Sequence, residues 1–131
     1  MPWSTTTQVR ELSKDIKEML EPGDTMYEWG FNACFYLYTG ISPPVGNILN
    51  MHVRYGPLRE ELTQRVLNDL GRNKPELVLF PRWFLDVHPV TEFCHYRYSL
   101  LPRNAIRGHF ILLARNGGAL SARLKKQAGV E

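Results

Sequence analysis

Residues 29–51 of this 131-residue chain, WGFNACFYLYTGISPPVGNILNM, contain no charged side chain, although 22% of the whole chain is charged. A membrane span, a ligand-binding turn and the buried centre of a fold would each exclude charge. Pro43, Pro44 and Gly46 rule against the first, because proline removes a helical hydrogen bond and clashes with the preceding turn. No other window supplies the roughly 20 apolar residues of a spanning helix. An unpaired buried charge is costly, so a core segment explains the gap most directly.

Cysteine is also sparse, with only Cys34 and Cys94. Two cysteines define no framework. Buried thiols are the plain reading, with a disulfide or reactive groups left open. The start, MPWSTTTQVRELSKD, lacks the basic region and apolar run of a signal peptide. The chain reads as soluble, and a domain cut from a membrane protein would read the same.

Complete catalytic motifs are missing too. There is no HExxH, no Cys-x-x-Cys and no Gly-x-Ser-x-Gly. His52, His88, His95 and His109 are dispersed. Asp86 and His88 alternate, which could orient an imidazole, but a lone pair of this kind is weak. No catalytic residue and no metal ligand is assigned. The formal net charge is only +3. Arg123, Lys125 and Lys126 read as a solvated helix end, and no nucleic-acid partner is expected.

What is present is a regular alternation of patterns. Val9, Leu12, Ile16 and Met19 recur at helical spacing, predicting a helix from about Thr5 to Leu20 that Pro22-Gly23 ends. TMYEW (25–29) reads as a strand, followed by a short helix that Gly40 closes. A second long helix starts near Pro57 and carries Leu58, Leu62, Val66 and Leu70 at i, i+4, i+8 and i+12. Gly71 and Asn73 are expected to end it. LVLF (77–80) is an unbroken apolar run, the pattern of a strand buried on both faces. Residues 82–93 read as irregular. CHYRYSLL (94–101) alternates and HFILLAR (109–115) is apolar, predicting an antiparallel hairpin. A weak helix ends the chain. Residues 1–131 thus form one α/β domain, a small Rossmann-like sandwich. Its mixed sheet has parallel strands first and a C-terminal antiparallel hairpin.

In open α/β sheets ligands gather at the carboxyl ends of strands. Four residues stand at such ends: Glu28 and Trp29 after the first strand, Arg82 and Trp83 after the LVLF strand. They are the candidate ligand-binding residues. A nucleotide or S-adenosylmethionine site at Glu28–Gly30 would require more glycines than Gly30 alone, and Phe31 stands where backbone would have to approach the ligand. No cofactor is therefore expected. An aromatic–arginine surface around Arg82 and Trp83 could instead serve a protein partner.

Three segments, IKEMLEPGDTMYEWGFNACFYLYTG, NKPELVLFPRW and YRYSLLPRNAIRGHFILLAR, together carry a family likeness. The order is a helix, Pro-Gly-Asp, a strand with Trp-Gly, an aromatic run ending in Tyr-x-x-Thr-Gly (Tyr36 to Gly40), and Lys74-Pro75 before an apolar strand. It resembles the soluble C-terminal domain of polytopic bacterial membrane glycosyltransferases. These belong to the broad family of dolichyl-phosphate-mannose protein mannosyltransferases and lipid A aminoarabinose transferases. The resemblance implies a domain at the extracytoplasmic face of the bacterial inner membrane, excised from a larger membrane protein. Its partners would be the transmembrane part of the same polypeptide and a carbohydrate or lipid-linked acceptor. The parent enzyme would move a sugar from a polyprenyl-phosphate carrier. Its catalytic carboxylates would lie in the transmembrane part, so none is carried over here. The alternatives are a small stand-alone S-adenosylmethionine- or nucleotide-binding enzyme and a protein-interaction module.

Overall fold

The computed structural model describes residues 6–30, 34–44, 53–81, 88–101, 106–107 and 110–127. Helix α1 (Thr6–Met19) precedes strand β1 (Met26–Glu28) and helix α2 (Cys34–Thr39). Helix α3 (Arg59–Asn73) leads into β2 (Leu77–Pro81), and α4 (Pro89–Arg97) leads into β3 (Tyr98–Leu100). Strands β4 (Ile106–Arg107) and β5 (Phe110–Arg115) and helix α5 (Ala119–Gln127) complete the order.

The strands form one mixed sheet in the order β1-β2-β5-β3, with β4 also pairing β5. Among the described strands only β1 and β2 run parallel, in the register Tyr27 to Val78. The expected hairpin is present: β3 pairs antiparallel with β5, Ser99 opposite Ala114. The likeness to a Rossmann sandwich rests on the single parallel pair, because β5 lies antiparallel to β2.

Strand β2 is buried along its whole length because helices cover both faces. Side chains alternate across a strand, so the sheet feeds two cores. Met26, Leu77, Leu79, Phe110, Leu112 and Ala114 pack with α1, α2 and α5 through Val9, Leu12, Ile16, Phe35 and Leu120. Tyr27, Trp29, Val78, Phe80, Ile111 and Leu113 pack on the other side with Val66 and Leu70 of α3 and Val90 and Cys94 of α4. The predicted stripe of α1 and the Leu62, Val66 and Leu70 part of the α3 stripe are thus the faces that meet the sheet, whereas Leu58, at the N-cap of α3, is exposed. The uncharged 29–51 stretch supplies core at Trp29, Phe35, Tyr36 and Thr39, which are buried, whereas Cys34 and Leu37 on the outer face of α2 are exposed.

Several expectations need correction. Residues 94–97 are helical, not strand, and α4 already begins at Pro89. His88 caps it, its Nδ1 accepting the Val90 N–H at 3.1 Å, and proline suits the first helical turn. Val90, Thr91 and Cys94 are buried at helical spacing while Tyr96 is exposed, so burial against the sheet overrides the short alternation. Gly71 lies inside α3, which ends on Lys74 in the left-handed conformation (φ 46°). Arg123 is not merely solvated: its Nη2 reaches Asp24 Oδ2 at 2.8 Å and ties α5 to the turn after α1. Cys34 and Cys94 are not bonded to each other, and only Cys94 is buried.

Candidate functional site

Glu28, Trp29 and Gly30 follow one another at the carboxyl end of β1, and all three are buried. Trp29 continues the parallel ladder, its N–H donating to the Leu79 carbonyl at 2.8 Å. The Glu28 N–H donates to the Tyr36 hydroxyl at 2.8 Å, which fastens α2 to the strand end. Burial pushes the Tyr36 hydroxyl well above its usual range, although the N–H it accepts pulls the other way. Gly30 has no room for a side chain: a Cβ there would collide with the Glu28 carboxylate and come within 2.5 Å of Pro81 Cγ. The corner is packed shut, and neither Glu28 nor Trp29 presents surface to a ligand. Arg82 and Trp83 lie outside the described residues, as do Asp86, His52 and His109.

The indole of Trp29 organises what lies beside that corner. Its Nε1–H donates to Thr91 Oγ1 of α4 at 2.9 Å. The Arg54 guanidinium carbon sits 4.5 Å from the ring centroid, within cation–π range. The His88 imidazole lies 5.0 Å from the same ring, tilted by 47°. Because His88 Nδ1 accepts the Val90 N–H, the cap favours the tautomer with its proton on Nε2.

Arg54 and His88 open onto a cleft of about 420 Å³ between the N-terminal ends of α3 and α4, with Arg59, Glu60, Thr63 and Gln64 on its α3 wall. Thr63 Oγ1 donates to the Val53 carbonyl at 3.3 Å, and Arg59 Nη1 to the Gly56 carbonyl at 3.1 Å. These bonds hold the 53–56 segment against the helix. The lining mixes cationic donors, an amide, a hydroxyl and a carboxylate with the apolar side chains of Val53, Leu67 and Pro89. That mixture suits a ligand with many hydroxyl or phosphate oxygens, since guanidinium groups form directional bonds with oxyanions.

Cys94 is not available as a nucleophile at neutral pH. Burial pushes its thiol up to about 12, with Arg97 pulling it down, and the thiolate is the reactive form. Among the described residues no group of three or more His, Cys, Asp or Glu side chains could hold a metal ion.

Sequence reasoning placed Trp29 and Glu28 at the right strand end as ligand contacts, whereas both are buried and neither lines the cleft. It missed Arg59, Thr63 and Gln64. Their signal was weak, since they stand on the polar face of a helix where any soluble sequence carries such residues. The chain matches no known family model, no curated protein sequence and no solved structure.

Proposed function

We propose that this chain is a non-catalytic domain of a lipid-linked-sugar glycosyltransferase, placed at the extracytoplasmic face of the bacterial inner membrane. Its task is to help position the acceptor or a partner for the transmembrane part of the same polypeptide. The order of motifs from Pro22-Gly23-Asp24 through Tyr36 to Gly40 and on to Lys74-Pro75 supports the family. The observation that carries the role is the contrast at the end of β1. The Glu28–Gly30 corner is closed by Pro81, while the cleft beside it is open and sets Arg54, Arg59, Glu60 and His88 on a largely apolar floor. A recognition surface needs the second; a nucleotide or S-adenosylmethionine pocket would need backbone access at the first. No described helix is long and apolar enough to cross a membrane.

Amide-shift titration tests the role. An acidic or phosphorylated oligosaccharide is expected to shift Thr63, Gln64 and Val90, with the response lost in Arg54→Ala. S-adenosylmethionine or a nucleotide-sugar binding tightly at Glu28–Gly30 would overturn the reading in favour of a stand-alone enzyme.

A further inference from the structure

The opposite ends of α3 and α4 enclose a second cleft, of about 320 Å³, within the size range of small-molecule sites. Three cations line it: Lys74, Arg97 and Arg115. Phe93 and Tyr96 supply aromatic surface and Asn116 an amide. Among the described residues none of the lining groups is acidic. Tyr96 is 81% exposed, so its ring stands at the rim with little protein covering it.

The cations differ in how fully the fold uses them. Arg115 gives Nη2 to Glu76 Oε2 at 2.7 Å. Arg97 lies 4.0 Å over the Phe93 ring and also donates to the Phe93 carbonyl of its own helix. The Lys74 ammonium makes no ion pair or side-chain hydrogen bond among the described residues. Cations at helix C-terminal ends offset the helix dipole, which accounts for Arg97 in full. It does not account for the backbone at Lys74. That residue is the one non-glycine with positive φ among the described residues, at a helix end where glycine or asparagine is favoured. A lysine stands there despite the conformational cost. Each helix end carries about half a negative charge. With Glu76 and both ends set against the three cations, roughly one positive charge is left in the cleft.

We propose that this second cleft binds a small aromatic anion, a ring bearing a carboxylate or a phosphate group. The ring packs on Phe93 and Tyr96. The anionic group meets Lys74, Asn116 and the part of the Arg115 guanidinium that Glu76 does not hold. The site is independent of the glycosyltransferase reading, because it shares no lining residue with the Arg54–His88 cleft.

The test is amide-shift titration of the 131-residue chain with phenyl phosphate, benzoate and the uncharged benzyl alcohol. Saturable shifts at Gly71, Lys74, Tyr96 and Asn116 are expected with at least one anion, and not with the alcohol. The stronger of the two anions identifies the charged group. Lys74→Gly should weaken binding at least tenfold while raising Tm, since it removes the ammonium and relieves the backbone together. Lys74→Asn, which also tolerates this conformation, serves the same purpose if the glycine variant fails to fold. The proposal is overturned if neither anion gives saturable shifts there at millimolar concentration. It is equally overturned if benzyl alcohol binds as well, or if the folded Lys74 variant binds unchanged.

Discussion

The two clefts are built from the same pair of helices and differ in which ends they use. At the N-terminal ends of α3 and α4 the lining is mixed, with Glu60 set among Arg54, Arg59 and His88. At the C-terminal ends it is cationic and aromatic. The buried layer beneath them is continuous, running from Trp29 through Phe80 and Val90 to Cys94 and Tyr98. One rigid core can therefore carry two surfaces with different chemistry. The difference lies in which side chains finish each helix and in how the strand ends behind them are closed. Gly30 and Pro81 close one end by contact. At the other, Glu76 joins Arg115 to the Leu120 N–H of α5.

Removing the protection of the shared layer should have the largest effect. The Cys94 thiol ionises near 9.0 when solvated and is pushed to about 12 by burial. Between those values the unfolded chain loses its proton first, so stability falls as pH rises from about 9 to about 12. The loss is on the order of 4 kcal/mol at the upper limit. Burial also raises Tyr27, and burial likewise raises Tyr98, steepening the decline. Urea midpoints measured across this range should show it, and Cys94→Ala should flatten the curve.

Breaking one end at a time separates the two closures. Gly30→Ala forces a methyl into the Glu28 carboxylate and Pro81 and should cost about 3 kcal/mol by urea denaturation. Glu76→Ala leaves Arg115 without its partner and the start of α5 without its acceptor, costing about 2 kcal/mol. If Glu76→Ala proves the more damaging, the Glu28–Gly30 corner is looser than its contacts imply. The smallest effect has the opposite sign. A Cβ at Gly71 would meet only Phe93 Cζ, at 4.0 Å. Gly71→Ala should therefore stabilise α3 by about 0.5–1 kcal/mol, read as a rise in urea midpoint.

Much of the fold was legible because it rests on strong periodicity. The Val9–Ile16 stripe, the Val66–Leu70 stripe and the LVLF run each face the layer that their pattern demands. The Cys94–Arg97 segment was misread because four alternating residues fit a strand as well as a helix turn, and only packing against the sheet decides between them. The His88-Pro89 start, with Glu92 in the first turn, was the readable signal for α4. The site was less legible. Glu28 and Trp29 were found from their place at a strand end, yet sequence could not tell buried side chains from exposed ones there, which depends on how Pro81 packs across from Gly30. Lys74 gave no sign of its left-handed backbone, because glycine and asparagine are the residues that announce one.

The most direct test of the glycosyltransferase reading is a blot of fractionated native cells with an antibody raised against this domain. The account expects a membrane-bound band far larger than 15.2 kDa, in which this chain is one domain beside a transmembrane part. A soluble band at 15.2 kDa would contradict it.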